Sequence, residues 1–457
     1  MNVTSPKAIR IGAVLSVIAA LVAFAARVSS AQVPAPRRLS LGEAARLAAS
    51  QAAPVHAALD RMSEASARVN QVRAGLLPQV SAIPEWTANT VNSASFGFNF
   101  PGEPGKPPLL DPNGQIIGPV KLWDFRGAVT QTLFDPATTQ RVRAARSNVT
   151  SAGADVTAAS EQAASIAAVT YVRALRAESV VGARAADSAL AADLVSIARD
   201  QLNAGVGIAL DVTRAQSQLA SSRAQLIAAR NDRDSSLLDL RRAINIDLNT
   251  PIQLTDSLEA SESESPENES NASDVAIRTR PDVHSLDLQY AAAEQQMAAV
   301  RATRLPTVGA FGRDGPTGIG LNHLLNTYTY GVQVSWPAFE GGRREAQQQE
   351  QAAVLHEIDG RRRDLRQQVQ ADVRAALLDL ASTREQVDAS RESRRLAEQE
   401  VAQARERFRA GVAGNADVVT ALLTLNQART GLIDALTSYL NARVSLARAE
   451  GTVSQIR

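Results

Sequence analysis

The sequence predicts a mainly α-helical protein with a small β-sheet part, and three observations lead to this prediction. Motifs recur in the same order in both halves of the 457-residue chain. Long helical stretches carry a narrow apolar seam, which is typical of coiled coils. Two short windows instead alternate apolar and polar residues with period two, as β-strands do. We therefore expect long antiparallel coiled-coil helices joined to four short strands per chain.

The repeat concerns stretches that lie far apart in the chain. Arg73–Ala82 resembles Arg301–Ala310, 228 residues further along, and Ala204–Val212 resembles Ala410–Val418 at an offset of 206. An ordered set of such matches indicates an internal repeat, in which each half forms the same supersecondary unit.

Composition divides the chain into four segments. Lys7 and Arg10 precede an apolar run of sixteen residues, Ile11–Ala26, which is too short for a good membrane span and is typical of a secretory signal. An uncleaved membrane anchor is the competing interpretation. The middle of the chain is acidic, Ser-rich and nearly free of apolar residues, so we expect a connector that does not pack. The predicted segments are 1–31 signal peptide, 32–254 first repeat, 255–274 linker and 275–457 second repeat.

Each half is predicted to contain a leading helix, two strands, a long helix and a return helix. Ser40 and Glu43 have the spacing of a capping box, and Pro54 is expected to interrupt the first leading helix. Gly205 breaks the chain after the first long helix. That helix would be about 100 Å long at 1.5 Å per residue, so two shorter helices can lie end to end along it. The predicted helices are Leu41–Leu77, Pro136–Ala204, a return helix to Ile244, Ser273–Arg304, Gly342–Ala410 and Ala416–Glu450.

The second long helix carries the clearest apolar seam. Its steps of three, four and seven residues keep the apolar side chains on one face, near the period of a coiled coil. A solvent-exposed single helix is the alternative, but a helix of this length would not persist without partners. The seam comprises Val354, Ile358, Leu365, Val369, Val373, Leu377 and Leu380.

The strand windows are Gln79–Asp135 and Thr307–Glu340, which hold 12 of the 17 aromatic residues. Alternation with aromatic residues at the ends is typical of transmembrane barrel strands, which need about 9–11 residues to cross a bilayer. A half-buried sheet in a soluble domain is the alternative. The Gly- and Pro-rich stretches Pro101–Val120 and Asp314–Asn326 are predicted to be exterior loops. The predicted membrane-interface aromatic residues are Trp123, Phe125, Tyr328, Tyr330 and Trp336.

Four strands cannot close a barrel, and an open sheet edge in lipid leaves backbone groups without hydrogen bonds. The chain must therefore oligomerise if these strands cross a membrane. Two chains would give eight strands, whose interior fills with side chains, and three would give twelve strands and a lumen. The polar inward faces favour three chains.

Composition and motifs argue against several function classes. The chain has no cysteine, which excludes disulfides, thiolate metal sites and thiol catalysis. Its charge is balanced, with 48 basic and 47 acidic residues, which argues against nucleic acid as a partner. We find no nucleotide-binding, hydrolase or metalloprotease motif, so no catalytic, cofactor-binding or metal-binding residue is predicted. An exported coiled-coil scaffold outside the membrane and a periplasmic hydrolase are the rival hypotheses.

The ordered motifs resemble those of the TolC-like outer-membrane efflux family, over essentially the whole chain after the signal. No single motif is highly specific, but the duplicated set is. The matching stretches are Leu39–Ala48, Arg73–Pro78, Thr132–Asp135 and Pro337–Gly342, together with Arg199–Val212 and Arg405–Val418.

The resemblance implies a passive outer-membrane channel subunit of a tripartite efflux or type I secretion system. It implies a homotrimer with a twelve-strand barrel in outer-membrane lipid and an α-helical tube in the periplasm. It also implies two partners, a periplasmic adaptor and an inner-membrane transporter. Substrates in the family include drugs, dyes, metals and secreted proteins.

The resemblance further implies roles for two turns and two acidic residues. Asp211 and Asp417 match positions that ring the entrance of the tube, where carboxylates would favour cations. Helix N-capping is the alternative role for both. The family often has an Arg and a second Asp where this chain has Ala413 and Thr420, so two polar groups common at this turn in the family are missing here. The residues expected to contact the adaptor are Gly205, Val206, Gly207, Gly411, Val412 and Gly414.

Overall fold

The structure is a computed structural model that describes residues 36–96, 113–260 and 269–456. The predicted signal segment and the middle of the predicted linker lie outside the described residues. The helices are α1 Leu41–Gln51, α2 Ala53–Ala74, α3 Pro136–Asn203, α4 Ala209–Ala243, α5 Glu269–Thr279, α6 Pro281–Ala302, α7 Arg343–Arg409 and α8 Asn415–Glu450. The strands are β1 Arg37–Leu39, β2 Gln79–Ala82, β3 Glu85–Asn92, β4 Ile116–Asp124, β5 Gly127–Phe134, β6 Ile252–Leu254, β7 Thr307–Gly318 and β8 Leu325–Ser335.

Proline divides both leading helices. The predicted interruption near Pro54 is confirmed, because α1 ends at Gln51 and α2 begins at Ala53 with proline in its first turn. The prediction of one unbroken helix over Ser273–Arg304 is wrong, since α6 begins afresh at Pro281. Proline lacks an N–H and clashes with the preceding turn, so it is tolerated only at a helix start.

The described residues form two compact units. The first contains the chain up to Ala44, Thr170–Glu259 and Ser393–Thr437, and the second contains the remaining described segments. The long helices α3, α7 and α8 contribute residues to both units. Among the described residues, no helix is both long enough and apolar enough to cross a bilayer.

In the first unit, a buried polar cluster joins α3 to α8. The carboxylate of Asp187 accepts hydrogen bonds from Asn426 Nδ2 at 2.7 Å and from Arg429 Nη1 at 2.8 Å. Arg184 lies beside it and donates to Asn426 and Thr430. A buried carboxylate with so many donors is satisfied only in one helix register, so the cluster fixes how α3 and α8 pair.

The N-terminal strand of the first unit is held by a short parallel sheet. β1 pairs with β6, so that Leu39 lies opposite Leu254. The hydroxyl of Tyr171 donates to the carbonyl oxygen of Leu39 at 2.9 Å. Burial and the nearby carboxylate of Asp256 both raise the pKa of Tyr171. The hydroxyl therefore stays protonated and remains a donor at physiological pH.

The helical part of the second unit is built around the predicted seam. Val369 and Val373 are fully buried, and Leu365 and Leu377 pack against them. The seam predicted for the second long helix therefore corresponds to a packed core at these positions.

An arginine braces the start of α6 in this unit. Arg280 pairs with Asp282 at 2.7 Å and with Asp372 at 3.1 Å. Burial opposes ionisation of Asp282, but two hydrogen bonds from Arg280 outweigh it and hold the pKa of Asp282 below its usual range. The break between α5 and α6 is thus tied to the long helix α7.

The strands of the second unit form one sheet. β5 pairs with β2 and β7, β4 pairs with β3 and with the end of β7, and β8 pairs with β7. All these pairs are antiparallel. β2 and β3 follow one another along one edge, and β8 forms the other, so the sheet has four strand positions. Among the described residues, neither edge has a further strand beside it.

Two predictions about the strands are corrected. The alternation of Trp123, Phe125, Val129 and Leu133 with polar residues predicts one strand, but β4 ends at Asp124 and β5 begins at Gly127. The carboxylate of Asp124 accepts a hydrogen bond from Arg126 N–H at 3.0 Å, which forms a local turn between the two strands. The predicted exterior loops are too long, since β4 begins at Ile116 and β7 continues to Gly318. Gly and Pro residues favoured loops in the sequence, but they are tolerated here inside strands. Part of the first loop lies outside the described residues.

Candidate functional site

One face of the sheet is apolar and uncovered. Tyr328 and Tyr330 are 72% and 80% exposed, and Val332 and Val334 lie on the same face of β8. This confirms the alternation predicted from the sequence. Antiparallel pairing continues the face across the sheet, since Tyr330 lies opposite Gly312. Other exposed apolar residues of the sheet are Val80, Trp86, Ile116, Val129, Leu133 and Phe134.

Aromatic residues concentrate at two levels of this face. Tyr328 and Tyr330 stack at 6.0 Å between ring centroids, and Trp123 stacks on Phe125 at 5.9 Å. Trp336 follows the other end of β8. Tyr328 and Trp336 are eight residues apart, or about 26 Å along a strand. At the usual tilt this length spans about 20 Å of the membrane normal, most of the ~25 Å apolar band of a membrane barrel.

The loop after β8 presents another aromatic side chain. Phe339 is 87% exposed, although the loop around it is well anchored. The buried guanidinium of Arg344 donates to the carbonyl oxygens of Pro337 and Ala338 and pairs with Glu340. The contacts of Arg344 therefore fix the loop in a conformation that exposes Phe339.

The opposite face of the sheet is polar. Pairing in register places Thr329, Arg313, Ala128 and Ser81 side by side on this face. In this row the sheet is amphipathic across all four strand positions, with one face suited to hydrocarbon and the other to water.

The two helical turns of the first unit have the same geometry. Gly205 and Gly411 have φ angles of 75° and 72°, a region that glycine enters without strain. At the first turn, Val206 N–H donates to Gln201 O, and at the second, Val412 N–H donates to Arg407 O. These are Schellman caps, which end α3 and α7 sharply and reverse the chain.

Side-chain amides connect the two turns. Gln201 Nε2 donates to Phe408 O at 2.7 Å, and Asn415 Nδ2 donates to Asp211 O at 2.8 Å. Asn415 is fully buried, and its Oδ1 has no hydrogen-bond partner. Phe408 and Val418 are buried beneath these bonds. The turns that the sequence matched as repeats therefore form one braced tip.

Asp211 and Asp417 each lie in the first turn of a return helix. The residue before α4 is Ile208, with no side-chain cap, and Asp211 is the third helical residue. Asp417 is likewise third in α8 and is exposed. The alternative role of N-capping is therefore wrong for both. At this position a carboxylate still interacts favourably with the helix dipole.

The tip also exposes apolar side chains. Val206 and Val412 are 78% and 69% exposed, and Ile208 and Leu210 lie beside the first turn, also exposed. A contiguous set of exposed apolar residues is unusual at a surface that only water contacts.

Sequence reasoning missed the residues that join the two turns. Asn415 is the repeat counterpart of Ala209, so the asymmetry of the two copies was a usable signal. Gln201 gave no signal, because glutamine is common throughout these helices.

Helical hairpins with a braced tip, together with an amphipathic sheet whose apolar face is uncovered, define a membrane-associated class of protein. A sequence model of the outer membrane efflux protein family matches residues 44–245 and 272–452. The chain belongs to this family.

Individual relatives agree with this assignment. The chain is 25% identical to the alkaline protease secretion protein AprF of Pseudomonas aeruginosa over 278 residues, or 56% of this chain, and spans about half (54%) of the length of AprF. The outer-membrane channel OprN has a similar structure, with a TM-score of 0.73, 16% identity and 91% of each chain covered. The channel CmeC of Campylobacter jejuni has a TM-score of 0.72 and 17% identity, with 90% of this chain and 85% of CmeC covered. VceC of Vibrio cholerae has a TM-score of 0.70 and 17% identity, with 90% and 96% covered. These likenesses confirm the predicted fold class.

Proposed function

We propose that this chain is an outer-membrane channel subunit that passively conducts substrates received from an inner-membrane transporter through a periplasmic adaptor. The uncovered apolar face of the sheet is the observation that carries the proposal. In water such a face would promote aggregation, whereas in lipid it is the expected outer surface of a barrel. Membership of the outer membrane efflux protein family and the similarity to AprF, a secretion protein by name, support efflux or secretion as the task.

The working assembly in this proposal is a homotrimer. Both sheet edges carry unpaired backbone groups among the described residues, and hydrocarbon offers them no hydrogen bonds. Three copies of four strand positions give a closed twelve-strand barrel with a lumen. The polar face would line that lumen, while Tyr328, Tyr330 and Trp336 would lie at the two lipid–water interfaces.

The braced tip is the part of the chain assigned to the adaptor and the gate. Exposed Val206 and Val412 offer apolar contacts to an adaptor. Asp211 and Asp417 would place carboxylates around the tube entrance, where they would favour cations. The segmentation into signal peptide, two repeats and linker remains part of the same proposal, with export to the outer membrane as its consequence.

Reconstitution tests the channel directly. Purified full-length protein in a planar lipid bilayer should give discrete conductance steps, and native mass spectrometry in detergent should give three chains. The rival scaffold would remain soluble without detergent and would give no conductance. A stable monomer in plain buffer would overturn the proposal.

A further inference from the structure

One cationic side chain stands out on the polar face of the sheet. Arg313 is exposed near the middle of β7. Its neighbours in register are Ala128 and Thr329, and Ser81 follows Ala128 one strand further. These side chains are short and uncharged. Arg313 forms no ion pair with any described residue.

Register also places two acidic residues, Asp124 and Glu85, on this face. Asp124 is engaged by Arg126, whose Nε donates to it at 2.9 Å and whose backbone N–H donates at 3.0 Å. Glu85 lies opposite Asp124 and Thr317 in register. Arg313 also interacts electrostatically with Asp124, but the hydrogen bonds to this carboxylate come from Arg126 and not from Arg313.

The large side chain nearest in sequence to Arg313 on the polar face packs against the sheet. Phe311 is the large neighbour on the same face, and its ring lies over Gly331, where a Cβ would come within 3.0 Å of the ring. The ring is thus seated on a glycine of β8. Arg313 is therefore an exposed cationic group on this part of the wall, with no hydrogen bond or ion pair to any described residue.

We propose that Arg313 forms a cationic contact site for anionic groups on transported molecules, such as carboxylates, phosphates or sulfonates. The inference rests on the proposed trimeric channel, in which three copies of Arg313 would form one positive ring inside the barrel. A charged ring at a pore wall selects ions of opposite sign. Its sign is opposite to that of the carboxylates proposed at the tip.

The test is the reversal potential of single channels under a salt gradient across a planar bilayer. A charged passage changes local ion concentration by about tenfold or more, so R313E should lower the anion-to-cation permeability ratio severalfold, and R313Q should lower it less. T329E places a carboxylate directly opposite the intact Arg313 and should also lower the anion-to-cation permeability ratio. This variant replaces the arginine variants in the test if those fail to assemble.

The matched control is K121Q, which removes one positive charge from the same sheet. Lys121 is two residues from Trp123 in β4 and so lies on the apolar face, where it cannot contact the lumen. The control should leave the reversal potential unchanged. Conducting R313E and T329E channels with unchanged selectivity would overturn the cationic site while leaving the channel intact. Absence of conductance in the unmodified protein would instead overturn the proposed function.

Discussion

Single side chains decide the geometry of the tip. The two turns are joined by an amide donor at Gln201 and another at Asn415, each bonded to a backbone carbonyl of the other hairpin. Phe408 lies in the last turn of α7, where backbone carbonyls lack intrahelical donors, so the amide of Gln201 is well matched to its carbonyl oxygen. The tip is therefore specified by the asymmetry between the two copies, in addition to the glycines they share.

Removing the Gln201 donor should loosen the tip locally. We expect Q201A to cost about 1 kcal/mol, the usual net value of one hydrogen bond. Hydrogen exchange should become faster around Gly205 and Gly411 and unchanged elsewhere. Q216A is the control, because Gln216 is exposed on the next helix and makes no described bond. Equal exchange in both variants would contradict the brace.

The carboxylates of the tip give a second residue-scale prediction. If Asp211 and Asp417 ring the entrance, D211N and D417N should lower the preference for cations, which reversal potentials measure. The effect is opposite in sign to that expected at Arg313. D234N is the control, since Asp234 is exposed in the middle of α4 and pairs with its neighbour Arg233. If neither variant changed the reversal potential, Asp211 and Asp417 would not act on ions in the channel. Their role would then be limited to a favourable interaction with the dipole of their own helices.

At the scale of elements, the sheet owes its function to alternation along β8. Val332 lies on the apolar face, and Gln333 on the polar one. An arginine near the middle of the lipid-facing surface costs about 2–4 kcal/mol, whereas lumen positions tolerate it. V332R should therefore reduce the assembled protein in the outer membrane, as measured by membrane fractionation, while Q333R should assemble normally. Equal yields would argue against lipid contact.

The junction of α5 and α6 gives an element-scale prediction about pH. The pKa of Asp282 is lower in the fold than its ordinary value of 3.8. Its stabilisation is thus fully present above that value and is lost as pH falls through the folded-state pKa. D282N should lower the urea midpoint at pH 7 and flatten its decline in acid. The exposed pair of Asp388 and Arg391 provides the control variant D388N, whose acid profile should match the unmodified protein.

How far the sequence predicted these elements depended on the length of each signal. The seam of α7 extends over many turns, so its buried positions, including Val369 and Val373, were predicted correctly. β1 and β6 have three residues each and were missed, because so short a run has no period. The break at Phe125 was missed because the apolar alternation continues across it, although the carboxylate of Asp124 accepts from Arg126 N–H and turns the chain there.

Candidate site residues were predicted to the same uneven extent. The aromatic residues of β8 and the tip glycines were found because alternation and positive-φ turns are local properties of sequence. Arg313 was not singled out, since its importance depends on strand register and on the pairing of Asp124 with Arg126. Contacts between distant segments are what the sequence alone leaves open.

At the scale of the whole molecule, the two open edges of the sheet should meet between chains. Val80 on β2 and Tyr330 on β8 occupy the same row, with Val129 and Gly312 between them. Within one chain they are three strand spacings apart, about 14 Å, which is beyond the ~7 Å limit for a disulfide. A disulfide between these two strands can therefore form only between chains.

The absence of native cysteine makes this test clean. V80C should be combined in turn with Y328C, Y330C or V332C, which together cover three registers between the edges, and oxidised in native membranes. At least one pair should give covalent dimers and trimers on a denaturing gel, with a closed ring of three as the largest product. V80C with V129C should cross-link only within a chain, since these residues are paired in register. If every edge pair stayed monomeric while this control formed its disulfide, β2 and β8 would not be neighbours in the assembly, and a barrel closed through these edges would have to be abandoned.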